Sequence, residues 1–397
     1  MTQNDTFRSQ FGNPDPTFVV RAPGRVNLIG EHIDYNGLSV LPMAIPRSVT
    51  ALVRPRTDNT VRIASEAPGF EERTFALAAD IPPFPVGDWG NYVKAAAQAL
   101  EREYGPLTGM DVLVDSTIPV AAGLSSSSAL VIAVALALLA ANDLHADPIE
   151  LAERMALAER YTGTQGGGMD QAICLGAQAG HASRVDFHPL HLTAIPVPSD
   201  WRFVVAHSLA RAEKSGRAQE TYNRRTVECR LAFDTVVAQL AQPMSAYRDL
   251  LAARSPGELL TVADAALQDP VRRRFRHVVT EADRVRRAEA ALRAADLDTF
   301  GALLGESHAS LRDDYEVSAP ALDELVSLAN DAGAAGARLT GAGMGGCIVA
   351  ACTANRSADL VAALRAGFYA PRNADDADIE QHLFVAEPVE GARVEEL

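Results

Sequence analysis

The chain has 397 residues, of which 48% are hydrophobic and 22% charged, a composition that supports a large buried core and excludes global disorder. Its 51 acidic residues outnumber its 36 basic ones and give a formal charge of −15, so we expect no nucleic-acid partner and no membrane partner, which would need clustered positive charge. At roughly 100–200 residues per domain, this length predicts one large domain or two closely packed ones.

The first half of the sequence predicts short β-branched strands mixed with helices. The strands are predicted at 18–22, 39–45, 49–55, 61–65 and 111–116, with Pro46 and Pro55 as breaks, and a helix at 91–103. The apolar run from Ala129 to Ala141 is shorter than the roughly 18 residues of a membrane span, so it predicts a buried helix. Asp147 as N-cap, followed by Pro148 and Glu150, predicts a helix that runs to about Tyr161.

The second half predicts a strand at 202–207, helices at 283–295 and 321–332, and two strands that flank a glycine loop at 341–346. The basic stretch Arg272–Arg276 is interpreted as the solvated face of a helix. The order of strands and helices is mixed and lacks the regular β-α alternation of a doubly wound sheet. We place the domain boundary near residue 200, giving domains at 1–200 and 201–397.

The cysteines and the start of the sequence predict a cytoplasmic protein. Cys174, Cys229, Cys347 and Cys352 are widely spaced and form no CxxC pair, so neither a disulfide framework nor a zinc site is expected. The first residues, MTQNDTFRSQF, lack the apolar segment of a signal peptide.

The segment RAPGRVNLIGEHIDYN (21–36) concentrates charge between two apolar stretches. Arg25, Glu31, His32 and Asp34 lie within a few residues of one another, and loops between core strands often carry function. A solvated loop is the alternative interpretation. Carboxylates and a histidine close together suit the hydroxyls of a polyol or a sugar.

A Gly/Ser loop, GLSSSSA (123–129), leads directly into the apolar helix. The free N–H groups and the positive dipole end of a helix N-terminus favour phosphate, and serine hydroxyls add donors and a Mg²⁺ ligand. Ordinary N-capping is the alternative, but four serines exceed what one cap needs. No Gly-Lys-Ser/Thr sequence occurs, which excludes a Walker A loop, and the absence of HRD and DFG excludes a protein kinase.

Two further glycine-rich segments follow. In ERYTGTQGGGMDQ (159–171), Glu159 is placed at the end of an apolar helix face, where a carboxylate is costly unless it meets a cation or a metal, and Asp170 follows three glycines. A flexible loop with a surface aspartate is the alternative. RLTGAGMGG (338–346) lies between predicted strands, which argues against a dinucleotide fingerprint. We expect it to pack closely on a phosphate or on another backbone segment.

In order and spacing, these four motifs resemble those of the GHMP small-molecule kinases, and GRVNLIGEHIDYN (24–36) is similar to the galactokinase signature. The similarity extends from about Arg21 to Phe384, with support from 88–94, 222–229 and 311–320. It implies a two-lobed α+β fold, with an N-terminal lobe like ribosomal protein S5 domain 2, a ferredoxin-like C-terminal lobe and an active site between them. It also implies a monomer that transfers the γ-phosphoryl group of ATP to the C1 hydroxyl of an α-galactose-type sugar.

The resemblance assigns roles residue by residue. Asp170 is the implied base and Arg25 its electrostatic support. The implied sugar-binding residues are Glu31, His32, Asp34, Gly167 and Tyr222. The implied nucleotide-binding residues are Trp89, Gly123, Leu124, Ser125, Ser126, Ser127, Ser128 and Gly343. Ser127 and Glu159 are the implied Mg²⁺ ligands.

Two alternatives stay open. Catalytically silent sugar- and ATP-binding regulators are known in this family, but the intact Asp170 and Gly/Ser loop favour an active enzyme. The segments 32–44, 159–171 and 210–231 look closer to the N-acetylgalactosamine kinase branch, whereas a tyrosine such as Tyr222 is common in galactokinases. Galactose is the predicted substrate and N-acetylgalactosamine the alternative.

Overall fold

The computed structural model describes residues 3–163, 166–210 and 217–397, without the side chains of 217–219. Thr164 and Gln165, within the predicted 159–171 motif, lie outside the described residues. The strands are β1 (Phe18–Ile29), β2 (Leu41–Pro55), β3 (Thr60–Ser65), β4 (Arg73–Ala76), β5 (Met110–Ser116), β6 (His181–Asp186), β7 (His191–Pro196), β8 (Trp201–His207), β9 (Gly336–Thr340), β10 (Cys347–Thr353), β11 (Leu383–Ala386) and β12 (Arg393–Glu396). The α-helices are α1 (Gln3–Phe11), α2 (Gly90–Tyr104), α3 (Ser126–Ala141), α4 (Pro148–Glu159), α5 (Met169–Gly176), α6 (Arg217–Leu240), α7 (Tyr247–Ala253), α8 (Pro256–Ala266), α9 (Val271–Arg293), α10 (Leu297–Asp313), α11 (Pro320–Asp331), α12 (Ser357–Leu364) and α13 (Asp376–His382).

Two sheets organise the two lobes. The first has the order β12-β1-β2-β5-β3-β4 and is antiparallel except for the parallel pair of β3 and β5. The second is antiparallel, with the order β11-β8-β10-β9. One hydrophobic core extends through both sheets and the helices between them. The predicted two-lobed α+β class is confirmed, while the domain boundary near residue 200 stays a prediction.

The apolar helix α3 lies in this core, as the sequence predicts. Val131, Ile132, Val134 and Leu138 are fully buried there, because α3 packs against α2 on one side and against β1 and β2 on the other. Within the described parts of the chain, none of the helices combines the length and apolar character that crossing a membrane requires.

Strand β2 differs from the prediction, which divided it at Pro46. The pairing of β1 with β2 shifts register between Pro23 and Arg25, whose partners are Ser48 and Ala44. Residues 45–47 therefore bulge out of the ladder, where the missing N–H of Pro46 costs no hydrogen bond. The bulge keeps the strand continuous and lies directly beside Arg25.

The interpretation of Arg272–Arg276 as a solvated face is wrong at its centre. Arg274 is 1% exposed and the neighbouring Phe275 is fully buried in the core. The Arg274 guanidinium is paired with the carboxylates of Glu228 on α6 and Glu316 after α10. Such a charge is tolerated in the interior only with partners of this kind, and these come from distant parts of the sequence.

Candidate active site

The guanidinium of Arg25 lies at the centre of the site. It extends from β1 beside the bulge and is 4% exposed. Its Nε and Nη2 lie 2.7 Å from Asp170 Oδ1, and its Nη1 donates to the carbonyl oxygen of Gly123 at 2.7 Å. Burial by itself lowers the pKa of Arg25, but the carboxylates of Asp170, Glu31 and Asp34 more than offset this and leave the pKa raised. Arg25 is therefore a permanent cation that joins two of the predicted motifs.

Asp170 lies in the first turn of α5, where the helix dipole favours a carboxylate. The glycines that precede it allow the backbone to approach the sugar loop, defined here as residues 30–36. A Cβ atom on Gly167 would lie 2.5 Å from the carbonyl carbon of Asp34, so glycine alone fits there. The Asp170 side chain is 12% exposed and ion-paired with Arg25, which excludes the alternative of a surface aspartate on a flexible loop.

Glu31 is held in the sugar loop by a cation from the other lobe. Its carboxylate accepts a hydrogen bond from Arg338, which is fully buried on β9. Arg338 also donates to the carbonyl oxygens of Asn27 and Leu28, at 3.2 Å and 3.0 Å. From α9, His277 Nε2 lies 3.0 Å from the Glu31 carbonyl oxygen. The loop is fixed from two sides and is not solvated, which excludes the solvated-loop interpretation.

The other predicted sugar-binding side chains line the same small cavity as Arg25, Glu31 and Asp170. Burial, together with the nearby charge of Asp170, raises the pKa of Asp34 to about 6. The ring of Tyr222, on α6, lies 5.6 Å from that of His32. Both ring nitrogens of His32 already have protein partners: Nδ1 lies within hydrogen-bond distance of the Tyr35 hydroxyl, and Nε2 of the Ala342 carbonyl oxygen.

The Gly/Ser loop presents an uncapped helix N-terminus. Ser125, the N-cap of α3, has a left-handed backbone with φ of 60° and makes no side-chain capping hydrogen bond. Its buried Oγ has no hydrogen-bond partner within the described residues. Ordinary serine capping is thereby excluded, and the first N–H groups of α3 remain available to an anion.

Glu159 ends α4 and is 7% exposed, as its place in the sequence predicts. One carboxylate oxygen accepts hydrogen bonds from Ser128 Oγ, at 2.8 Å, and from the Gln171 side chain. The other oxygen, Oε1, is buried and has no partner among the described atoms. A buried carboxylate oxygen without a partner beside a serine-rich loop fits a hard cation such as Mg²⁺.

A larger cleft of about 580 Å³ adjoins the small cavity, and Ala342 lines both. Of the predicted nucleotide-binding residues, those that line this cleft are Trp89, Gly123, Ser125, Ser126 and Ser127. Leu124, Ser128 and Gly343 do not line it. A Cβ on Gly343 would lie 2.2 Å from the Val317 carbonyl oxygen, so this glycine packs against the backbone at Val317.

The third glycine loop, residues 341–346, packs directly on the Gly/Ser loop. Gly341 has φ of +83°, and a Cβ there would lie 2.5 Å from the Gly123 carbonyl oxygen. Of the two interpretations offered for this motif, close packing on another backbone segment is the one that Gly341 shows. The carbonyl of Gly123 also accepts the hydrogen bond from Arg25, so three motifs meet at one residue.

Arg338, His277 and Glu281 were missed as site residues by the sequence analysis. Glu281 is fully buried on α9, and its Oε1 accepts the Gly30 N–H at 2.9 Å. Arg338 was part of the fourth motif but was given no role. The signal was absent for a physical reason: these residues lie more than 240 positions from the loop that they hold.

Comparison with known proteins identifies the family of this chain. A galactokinase galactose-binding signature matches residues 5–55, and the GHMP kinase N-terminal and C-terminal domains match residues 91–178 and 288–370. The galactokinase of Roseiflexus sp. (strain RS-1) is 42% identical over 349 residues, which cover 87% of this chain and 85% of that protein. The chain belongs to the galactokinase family.

Further comparisons support this membership. The galactokinase of Chloroflexus aurantiacus is 38% identical over 91% of this chain and 90% of its own. The crystal structure of Lactococcus lactis galactokinase complexed with galactose has a TM-score of 0.87 and 31% identity, covering 98% of both chains. A mevalonate kinase structure, with a TM-score of 0.64 and 17% identity over 94% of this chain and 99% of its own, shares the GHMP fold.

The contact of Gly341 with Gly123 leads to a first prediction. In Gly341→Ala, the added methyl group displaces the third glycine loop from the Gly/Ser loop, and we expect kcat/KM to fall about 100-fold, as expected for a displacement of about 1 Å in a site. Gly105→Ala is the matched control, because Gly105 has φ of +82° and nothing within 4 Å of an added Cβ. Unfolding curves should show a backbone-strain cost in both variants. Equal activities of the two variants would disprove the role of this contact.

Proposed function

We propose that this protein transfers the γ-phosphoryl group of ATP to the C1 hydroxyl of α-D-galactose, giving galactose 1-phosphate and ADP. The observation that carries the proposal is the pair of hydrogen bonds from Arg25, to Asp170 in the small cavity and to the carbonyl of Gly123 beside the large cleft. This arrangement brings a carboxylate to the boundary between a small cavity lined by charged side chains and a cleft that contains a helix N-terminus.

In this proposal the sugar occupies the small cavity. Glu31 and Asp34 accept hydrogen bonds from sugar hydroxyls, the Gly167 backbone and the Tyr222 phenol contact the ring, and the His32 ring forms part of the wall. Support comes from the buried ion pair with Arg338, which holds one carboxylate oxygen of Glu31 in a fixed direction. Fixed acceptors discriminate strongly between hydroxyl configurations, because an unmatched buried polar group is costly.

Catalysis is proposed to be mainly positioning and charge stabilisation, as in other phosphoryl transfers. The C1 oxygen forms a bond to the γ-phosphorus, the bond from that phosphorus to the ADP oxygen breaks, and Asp170 accepts the hydroxyl proton. Arg25 keeps Asp170 ionised and correctly oriented. The N–H groups at the start of α3 and the hydroxyls of Ser125–Ser128 hold the phosphates, with Leu124 and Gly343 as part of the surrounding backbone and Trp89 beside the adenine.

Mg²⁺ is the proposed cofactor, with Ser127 and Glu159 as the protein residues that hold it. Support comes from the unpartnered, buried Oε1 of Glu159 and from the exposure of Ser127 to the large cleft. When bound, Mg²⁺ neutralises the charge of the ATP phosphates. Among the residues that the structure describes, no group of three or more His, Cys, Asp or Glu side chains forms a separate metal site.

The substrate is tested by comparing kcat/KM for galactose, N-acetylgalactosamine, galactosamine and glucose in an ADP-release assay. We expect galactose to be preferred and glucose to be rejected, because Glu31 and Asp34 enforce the configuration of the ring. A preference for N-acetylgalactosamine would replace the sugar and retain the kinase, and a preference for glucose would contradict the proposed pocket. Saturable binding of galactose and ATP without turnover would identify a regulator instead.

Asp170→Asn tests the proposed base. We expect kcat to fall by at least about 10²–10⁴-fold, the range that a general base contributes, while the dissociation constant of ATP stays within about threefold of wild type. Asp186→Asn is the control, because Asp186 is also paired with an arginine, Arg184 on β6, but lines neither cavity. A loss of kcat below tenfold in a folded Asp170→Asn variant would remove Asp170 from this role.

The Mg²⁺ ligands are tested by titrating activity against free Mg²⁺. In Glu159→Gln and Ser127→Ala, we expect the half-saturating Mg²⁺ concentration to rise about tenfold, with less effect on the KM for galactose, because both lose a hard oxygen ligand. Glu150→Gln provides a control on the same helix with an exposed carboxylate. Superimposable Mg²⁺ curves for all variants and the wild type would exclude both residues from the metal site.

The raised pKa of Asp34 predicts a pH dependence of sugar binding. Since this pKa is about 6, the carboxylate becomes protonated as the pH falls through 6, loses its charge and presents an O–H donor in place of one acceptor. We expect the KM for galactose to rise about tenfold at one pH unit below this pKa. The KM for ATP, measured in the same buffers, serves as the control. Parallel changes in both constants would contradict the assignment to Asp34.

We further propose that the protein acts as a cytoplasmic monomer. Its four cysteines are free, and each is buried, an arrangement typical of proteins from a reducing compartment. Light scattering should give a mass near the 42.2 kDa of one chain, and twice that mass would contradict the monomer.

A further inference from the structure

A row of polar side chains runs from the sugar loop into the second lobe. His32 Nδ1 lies 3.1 Å from the hydroxyl of Tyr35, which lies 2.6 Å from the hydroxyl of Tyr315. That hydroxyl in turn lies 3.1 Å from Cys229 Sγ. At the other end, His32 Nε2 lies 3.2 Å from the carbonyl oxygen of Ala342. We call these four side chains the His32 relay; only His32 has a role in the proposed mechanism.

The Ala342 carbonyl fixes the direction of every hydrogen bond in the His32 relay. Because a carbonyl oxygen only accepts, the hydrogen of the imidazole is on Nε2. Burial lowers the pKa of His32 to about 3, so the ring is neutral and Nδ1 accepts from Tyr35. The hydroxyl hydrogen of Tyr35 is then used in the hydrogen bond to His32. Tyr315 therefore donates to Tyr35, and Cys229 donates to Tyr315. Burial raises the pKa of the Cys229 thiol to about 11, so the sulfur retains the hydrogen that it donates.

We propose that Tyr35 and Tyr315 are positioning residues that hold the His32 ring in the orientation in which its Nε2–H donates to Ala342, and so bind the sugar loop to the third glycine loop. Without the Tyr35 hydroxyl, Nδ1 is a buried acceptor without a donor. The ring is then held from one side only and is free to turn away from the carbonyl oxygen of Ala342.

The contact with Ala342 connects the two cavities. Ala342 lines both the small cavity and the large cleft, and the neighbouring Gly341 packs on the Gly/Ser loop. A fixed His32 ring therefore keeps the wall of the sugar pocket aligned with the Gly/Ser loop that lines the large cleft. This functional consequence rests on the proposed sugar kinase activity, whereas the tautomer is a property of the protein alone.

The first measurement is of the ring ¹⁵N chemical shifts of His32, in protein labelled with ¹⁵N-histidine and without substrates. The His32 signals are identified by their loss in His32→Gln. We expect a protonated Nε2 and an unprotonated, hydrogen-bonded Nδ1 in the wild type, and in Tyr35→Phe an Nδ1 shift that moves toward that of an imidazole nitrogen without a donor. This change in the Nδ1 shift should be smaller in Tyr315→Phe and smallest in Cys229→Ala, following the distance of each residue from His32 along the relay.

The second measurement is kinetic. Tyr35→Phe should raise the KM for galactose about tenfold, the size of effect expected when one buried acceptor loses its donor, with kcat and the KM for ATP changing much less. Tyr247→Phe is the matched control: its buried hydroxyl donates to the Cys229 carbonyl at 2.7 Å but lies outside the relay. It should leave both the His32 shifts and the KM for galactose unchanged, although it also loses a buried hydrogen bond.

The proposal is overturned if Tyr35→Phe leaves the His32 shifts and the KM for galactose at wild-type values, or if Tyr247→Phe changes them equally. Should Tyr35→Phe not fold, the wild type and Tyr315→Phe decide, since a wild-type His32 protonated on Nδ1 overturns the proposal outright. The predicted tautomer in a wild type without sugar kinase turnover would support the relay and contradict the proposed function.

Discussion

The ion pair of Arg25 with Asp170 is the interaction on which the rest of the site depends. Three carboxylates, those of Glu31, Asp34 and Asp170, lie around one small cavity, and their mutual repulsion would protonate or disperse them without a cation. Arg25 supplies that cation from a strand, where its position is fixed by the sheet. Its second partner, the carbonyl of Gly123, ties the same charge to the Gly/Ser loop, so electrostatic balance and geometry are set by one side chain.

The second lobe contributes the side chains that hold the sugar loop in place. Arg338 neutralises Glu31, while His277 and Glu281 bind the backbone on either side of that residue. These partners are buried, so each interaction acts in surroundings that screen charge poorly. The sugar loop is thus part of the first lobe, but residues of the second lobe hold it in place through hydrogen bonds. The shape of the pocket therefore depends on how the two lobes are placed relative to each other.

The sequence could predict whatever is encoded locally. Turn glycines beside charged residues, the serines before an apolar helix and the N-cap at Asp147 all act within a few positions, and the structure contains each of these elements. Pairing between residues that are distant along the chain could not be predicted from the sequence. The stretch around Arg274 has the composition of a solvated helix face. Its burial is possible because Glu228 and Glu316, from other elements, pair with its guanidinium. Pro46 likewise predicts a strand break until the bulge that contains it is known.

Strand β12 carries a consequence for synthesis. It pairs antiparallel with β1, matching Phe18 with Glu396 and Arg21 with Arg393, so the strand that supplies Arg25 is completed on its outer side by residues translated long after it. While the ribosome is still at work, β1 offers an open edge to other chains. Until β12 has been made and pairs with β1, the first sheet keeps an edge that is open to pairing with other chains.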